Sequence, residues 1–507
     1  VVLAVMPDVE TYYLGCLAQT SYLVHYKGVG VLIDPRRDGQ LYLNHLANIN
    51  VRLKGVVLTH LHADFVAGHA DIAAATGAPV FIGKKCDARS PHCPVIEGER
   101  ISFGDGVFLE AIETPGHTMG CITWLLSERG TVTRAFTGDT LHVGSIGPPD
   151  LVASMGTSVE ALALAMYDTV HSKLKKLPDA CVVHPCHGAG SPCCSLPSDK
   201  LSSTIGEEKA NNQAFILEEK PLFLSFLTKG QPSTPAYFLG CVSLNKTGPP
   251  LLAASGACQL LPLMQTAEFF HRLTNCPSLD SVYKLDTREA GDFANSHVSG
   301  FLNFPMSNKG GVNELTPDKN EMHEGNFAVW VGRMVAMDVR MFVITAPGRE
   351  REVFTRLGRV GMCNNVEGIL DGGFQEQMVT YTGLGVARNT RLQPSEVPKA
   401  QESGEVILDV RTRNEFVCQK NGHLAGAYSA PVFELQSLAP ELRKRFPGKS
   451  FVVYCRGGFR SAVASSILQA AGFTATDVVG GYAALQQALP EQTKNFETEG
   501  FLVESTQ

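Results

Sequence analysis

The chain has 507 residues, and at roughly 150 residues per domain it is too long for one small domain and suits about three. Hydrophobic residues make up 44% and charged residues 18%, with 14 cysteines, which excludes an intrinsically disordered chain and a disulfide-dense secreted scaffold. The formal net charge is −7 without a long basic run, so no nucleic-acid partner is expected.

At the N-terminus, residues 1–12 show neither a basic segment followed by an apolar one nor an Arg/Ser-rich presequence, and the missing initiator Met leaves room for a removed leader. No stretch approaches the ~18 uninterrupted apolar residues of a membrane span, so no membrane partner is expected. The cysteines follow no framework spacing, and Cys193 and Cys194 are adjacent. This predicts free thiols in a reducing intracellular compartment, either the cytoplasm or the mitochondrial matrix.

Up to about residue 250, short β-branched runs at 31–33, 56–58, 108–112 and 181–183 alternate with helical stretches such as 158–174, an α/β pattern. Directly after Val56-Val57-Leu58 comes Thr59-His60-Leu61-His62-Ala63-Asp64-Phe65. Thr114-Pro115-Gly116-His117, Phe136-Thr137-Gly138-Asp139 and His184-Pro185-Cys186-His187-Gly188 follow, each behind a strand-like run, where an α/β fold presents side chains at one rim. Imidazole and carboxylate donors suit Zn, Fe or Mn, and two His plus one carboxylate with open positions suits non-haem Fe(II). Small and turn residues then mark a boundary near 255–262, and 382–394 reads as a second linker.

The remainder repeats itself. Asp286-Thr287-Arg288, Phe293, His297 and Gly300 reappear as Asp409-Val410-Arg411, Phe416, His423 and Gly426. Phe342-Val343-Ile344-Thr345 corresponds to Phe451-Val452-Val453-Tyr454, and Gly372-Gly373-Phe374 to Gly480-Gly481-Tyr482. The second copy continues into Cys455-Arg456-Gly457-Gly458-Phe459-Arg460-Ser461 and a helical stretch, and such a strand, glycine loop and helix turns backbone N–H groups toward an anion. A thiolate at Cys455 is favoured and nucleophilic there. This alignment pairs Ala346 with Cys455; since alanine cannot attack sulfur and Pro347 lacks an N–H, the first copy is expected to be a catalytically inactive spacer.

The His and Asp groups resemble the metallo-β-lactamase superfamily in its glyoxalase II and persulfide dioxygenase branch, over residues 10–253 or so. The resemblance implies an αββα sandwich. Binuclear members write His-x-His-x-Asp-His, and here the last position is Phe65, whose ring offers no lone pair, so one metal is expected rather than two. By resemblance to persulfide dioxygenases, His60, His117 and Asp139 would hold one Fe(II) per chain, while His62, Asp64 and His187 would orient ligands and water from outside; spacing alone leaves His62 open as a fourth ligand. Where that branch writes Gly-Arg-x-Asp, this chain has Gly147-Pro148-Pro149-Asp150 and lacks an arginine for an anionic thiol substrate. The Cys455 loop, with Asp409-Val410-Arg411 and Gly422-His423-x-x-Gly426-Ala427, resembles the rhodanese family of sulfurtransferases. That resemblance implies Cys455 as persulfide carrier, Arg460 as its catalytic partner, and Arg456, Gly457, Gly458 and Phe459 as an anion-binding loop.

The expected organisation is a metallo-β-lactamase-like dioxygenase domain over 1–255, an inactive rhodanese-like α/β domain over 262–382 and an active one over 391–507. The expected function is oxidation of a low-molecular-weight persulfide by O2 to sulfite and thiol, fused to thiosulfate:thiol sulfurtransfer. Partners would be the persulfide, O2, thiosulfate or sulfite, and glutathione or another small thiol; a homo-oligomer is compatible with this reading. The alternatives are a glyoxalase II-type thioester hydrolase with a rhodanese sulfur-carrier domain, against which Phe65 counts, and a non-enzymatic sulfur relay or sensor.

Overall fold

The computed structural model describes residues 6–150, 156–188, 200–229, 234–252, 261–276, 282–306, 327–381, 383–417, 422–493 and 502. Cys193-Cys194 and residues 255–260 of the expected boundary lie outside the described residues.

Two six-stranded sheets are built from the apolar runs of the first 204 residues. One keeps chain order: Asp8–Leu14, Gln19–Tyr26, Val29–Ile33, Arg52–Leu58, Val80–Gly83 and Cys93–Val95. The other runs Ser203–Thr204, Val182–Pro185, Thr131–Gly138, Ile122–Glu128, Val107–Glu113 and Arg100–Gly104. Tyr22, Val24, Ile33 and Val57 of the first sheet pack against Leu109, Trp124, Leu126 and Phe136 of the second, each at most 2% exposed. Burying side chains of this size contributes about 1.5–3 kcal/mol apiece.

The opposite faces are apolar too, because helices cover them. Leu23, Leu32 and Val56 meet Tyr42 and Leu46 of the helix Gly39–Asn48 and Ile72 of His69–Thr76. Leu125, Ala135 and Val183 meet Ala163, Met166 and Val170 of Val159–Ser172. That last helix starts where Ser158 Oγ accepts the Ala161 N–H at 3.1 Å. The layers are therefore helix, sheet, sheet, helix, the sandwich that the resemblance implies.

The repeat becomes two five-stranded sheets of one order. Leu263–Met264, Val366–Leu370, Met341–Ile344, Tyr283–Asp286 and Leu302–Asn303 form the first; Arg391–Leu392, Ala475–Val478, Phe451–Tyr454, Val406–Asp409 and Tyr428–Ser429 form the second. Every pairing within them is parallel. The shared motif is scaffold. Arg288 forks onto Asp286 and donates to Ser296 O at 2.8 Å, as Arg411 forks onto Asp409 and donates to Gly422 O at 2.8 Å. Phe293 stacks on His297 at 3.7 Å and Phe416 on His423 at 3.8 Å.

Strand register corrects one expectation. Asp286 pairs with Ile344 and Asp409 with Tyr454, so Thr345, not Ala346, occupies the place of Cys455. The following helices start at Glu350 and Phe459, so the first loop, 345–349, is one residue longer than 455–458. An apolar run slides by one residue without changing its hydrophobicity; only the ladder decides its register.

Two compact units result: Val1–Leu260 with Lys309–Gly332 and Thr355–Asn364, and Leu261–Asn308 with Arg333–Phe354 and Asn365–Gln507. Among the described residues, no helix is long and apolar enough to cross a membrane.

Candidate metal centre and cysteine loop

His60 and Asp139 stand just past the ends of Arg52–Leu58 and Thr131–Gly138, and His117 lies in the loop between Val107–Glu113 and Ile122–Glu128. All three are buried. His60 Nε2 and His117 Nε2 lie 3.6 Å and 3.7 Å from Asp139 Oδ2. Hydrogen bonds fix both tautomers. Thr59 Oγ1 donates to Asp34 Oδ2 at 2.7 Å, so it accepts from His60 Nδ1 at 3.0 Å. His117 Nδ1 donates to Pro148 O at 2.6 Å. Both Nε2 lone pairs therefore face Asp139 Oδ2, which has no hydrogen-bond partner among the described residues. Burial holds the His60 pKa well below its ordinary value, with His62 adding to the effect, so the ring is neutral as a metal ligand must be. Three buried lone pairs converging without a proton between them fit a cation.

The other oxygen of Asp139 is spoken for. Oδ1 accepts from His187 Nδ1 at 2.7 Å and from His142 Nε2 at 3.1 Å. His187 Nε2 lies 2.9 Å from Asp64 Oδ2. Burial alone would lower the His187 pKa, yet the carboxylates of Asp139 and Asp64 outweigh it and raise the pKa well above the ordinary value. His62 stands aside from the converging three: its Nε2 is 3.0 Å from Asp34 Oδ1 and its ring stacks on Phe65 at 4.3 Å. Phe65 is 1% exposed and packs with Leu14, Leu17, Leu58 and Leu61, with its ring 6.3 Å from His187. Phe65 thus brings hydrocarbon next to His62, while Asp139, Cys186 and His187, and Asp34, His62 and Cys186, form two further buried groups of potential ligands. Cys186 is buried beside Asp139 and His187, where burial and the carboxylates push its thiol well up.

Asp34, His142, Asn245 and the Gly147–Asp150 turn were not singled out for these roles from the sequence. Asn245 Nδ2 donates to His62 O and Phe65 O, each at 2.8 Å, and its Oδ1 accepts from Ala67 N at 2.9 Å, pinning the histidine loop. Gly147 is needed for contact: a Cβ there would lie 1.9 Å from Asp139 O. The Gly-Pro-Pro-Asp turn, legible only as a missing arginine, in fact supplies the carbonyl that orients His117.

At the second site, Cys455 is 1% exposed at the end of Phe451–Tyr454. Gly458 N–H donates to its Sγ at 3.1 Å and Ser461 Oγ lies 3.6 Å from it. The positive φ of Gly458, 102°, is one a side chain would strain. Arg456 and Gly457 are exposed and Phe459 is half-buried. Arg460 is turned to a partner the sequence did not reveal, donating to both oxygens of Glu415 at 2.7 Å and 2.8 Å. Burial alone would raise the Glu415 pKa, but Arg460 and the Thr412 donors bring it down to about 2.

Comparison with known proteins gives the same two halves. A metallo-beta-lactamase superfamily model matches residues 14–187, and a rhodanese-like domain model matches residues 393–488. The mitochondrial persulfide dioxygenase ETHE1 of Mus musculus is 31% identical over 162 residues, 31% of this chain and 58% of that protein, so the chain spans little more than half of that relative's length. A hydroxyacylglutathione hydrolase of Polaromonas sp. (strain JS666 / ATCC BAA-500) is 30% identical over 227 residues, covering 41% of this chain and 80% of that protein. A crystal structure of a metallo-beta-lactamase from Staphylococcus aureus subsp. aureus COL aligns at TM-score 0.57 and 25% identity over 72% of this chain and 99% of that one. The chain therefore belongs to the metallo-beta-lactamase superfamily, and it carries a rhodanese-like domain behind that fold.

Proposed function

We propose that the chain is a non-haem iron persulfide dioxygenase joined to a thiosulfate:thiol sulfurtransferase. The observation that carries this reading is the convergence of His60 Nε2, His117 Nε2 and the unpartnered Asp139 Oδ2, with Phe65 where a second metal would need a ligand. Similarity to persulfide dioxygenase supports it. Bound to this triad, one Fe(II) per chain would supply a redox centre with open positions for O2 and an anionic sulfur.

The chain's own residues prepare that chemistry. Asp34, through Thr59, holds His60 in the Nδ1–H tautomer, and Pro148 O does the same for His117. His142 and His187 engage Asp139 Oδ1 and leave Oδ2 for the metal. Phe65, buried among Leu14, Leu17, Leu58 and Leu61, offers no lone pair to a second ion. The net reaction balances as R–S–SH + O2 + H2O giving R–SH + sulfite + two protons.

In the rhodanese-like domain, the Cys455 thiolate attacks the outer sulfur of thiosulfate; the new S–S bond forms as the old one breaks, and its electron pair leaves with sulfite. Gly458 N–H and Ser461 Oγ steady the sulfur anion. Glutathione or another small thiolate then takes the sulfur as a persulfide, which is the substrate of the other half.

A thioester hydrolase of the glyoxalase II kind is the second reading, favoured by the likeness to hydroxyacylglutathione hydrolase and by the presence of Asp64 and His187. Oxygen-electrode assays with glutathione persulfide and with a glutathione thioester separate the two. Uptake of O2 with sulfite formation supports the dioxygenase; thioester hydrolysis without O2 uptake contradicts it.

A further inference from the structure

The first repeat, with Thr345 where the second has Cys455, contributes two stretches to the unit that contains the metal triad. One is the described part of Lys309–Gly332 and the other is Thr355–Asn364. Arg359, the last residue of the helix Glu350–Arg359, makes three contacts there. Its carbonyl accepts the Val66 N–H at 2.7 Å. Its Nε and Nη2 donate to the Asp38 carboxylate at 3.0–3.3 Å. Its Nη1 lies 3.5 Å from Cys16 Sγ.

These contacts fall on the two segments that build the metal site. Asp38 closes the run that opens with Asp34, which orients Thr59 and His62. Val66 follows the run carrying His60, His62, Asp64 and Phe65. The segments also meet directly, where Gly68 N donates to Pro35 O at 2.8 Å and Arg36 bridges Ala67. The side chains of Arg359 and Asp38 are 6% and 3% exposed. A buried ion pair offsets its desolvation only with good geometry, and the two-nitrogen fork on one carboxylate provides it. Val329, from the other contributed stretch, packs in the cluster that holds Phe65.

We propose that Arg359, contributed by the repeat that has Thr345 in the place of Cys455, is a positioning residue for the metal centre, locking residues 34–38 against 59–66 so that His60 meets His117 and Asp139 in ligand geometry. This rests on reading those three residues as a metal site. The repeat then serves the unit with the metal triad, and its loop has no sulfur chemistry to perform.

The test titrates Co(II) into the metal-free full-length chain and follows affinity and the visible ligand-field spectrum, with thiosulfate sulfurtransfer by Cys455 as the control for folding. Arg359→Gln is expected to weaken Co(II) binding about tenfold, the lower end of the effect of outer-shell residues, and to shift the spectrum, while sulfurtransfer stays within about twofold. Arg359→Lys, which keeps the charge but not the fork, should recover part of the affinity. It carries the test with the same readouts should Arg359→Gln fail to fold. Asp38→Asn is expected to weaken Co(II) binding as well, because Arg359 and Arg36, whose Nε lies 2.9 Å from Asp38 Oδ2, then lose the carboxylate they share. Wild-type affinity and spectrum in Arg359→Gln would overturn the proposal and leave the metal reading intact. Co(II) binding that His117→Ala does not weaken would overturn the metal reading itself, and this inference with it.

Discussion

The two repeats have one scaffold and different loops. Both keep the five-strand order, the Asp-x-Arg fork and the Phe/His stack. In the second, Gly458 N–H points at a thiol. In the first, Thr345 occupies that position, Pro347 has no N–H, and Gly348 N donates to Glu350 Oε1 at 3.2 Å. Arg349 is committed to Glu352 and to Met306 O. The motif visible in both copies therefore maintains a fold, while among the described residues a thiol faced by a loop N–H at this position is found in the second copy.

The largest expected effect separates these loops and the metal centre in one experiment. Cys455→Ser should lower thiosulfate-dependent sulfite release by about 10³-fold or more, since a serine hydroxyl is barely ionised at neutral pH and forms no persulfide. O2 uptake with directly supplied persulfide should survive. His117→Ala should show the converse, with metal and O2 uptake lost and sulfurtransfer within about twofold of wild type. Parallel sulfite and oxygen assays check both; loss of both activities in either folded variant would break the separation.

A smaller effect is expected at Glu415. Its pKa in the folded chain is depressed from 4.5 to about 2, so the stability it contributes is fully present above the unfolded value and is lost as pH falls through about 2. Glu415→Gln should therefore lower Tm at pH 7 and lower it less at pH 3, as thermal unfolding at the two pH values would show. An equal loss at both would mean that the Arg460 pair does not set this pKa. The smallest effect is predicted for Thr345→Cys. The new thiol should gain less than about 1% of the sulfurtransfer of Cys455, because Pro347 has no N–H and the Gly348 N–H is taken up by Glu350. Mass spectrometry after thiosulfate treatment, showing a sulfur adduct on that peptide comparable to the one at Cys455, would break the comparison.

Spacing made the candidate side chains legible in the sequence, because His60, Asp139 and Cys455 each follow a strand end that the apolar runs mark. The residues that aim them were not legible. Asp34, His142, Asn245, Glu415 and Arg359 act across the fold, and Pro148 acts through a carbonyl that every residue type has. The pairing of Ala346 with Cys455 slipped by one residue for a related reason: Met341, Phe342, Val343 and Ile344 are all apolar, and only their ladder to Tyr283–Asp286 fixes which residue leaves the strand first.

The most direct measurement of the central claim is metal content and oxygen stoichiometry on one preparation. Elemental analysis of the full chain should find one iron per chain, and glutathione persulfide should then be consumed with one sulfite formed per O2. Two metals per chain, or stoichiometric zinc in a preparation whose turnover needs no O2, would contradict the account.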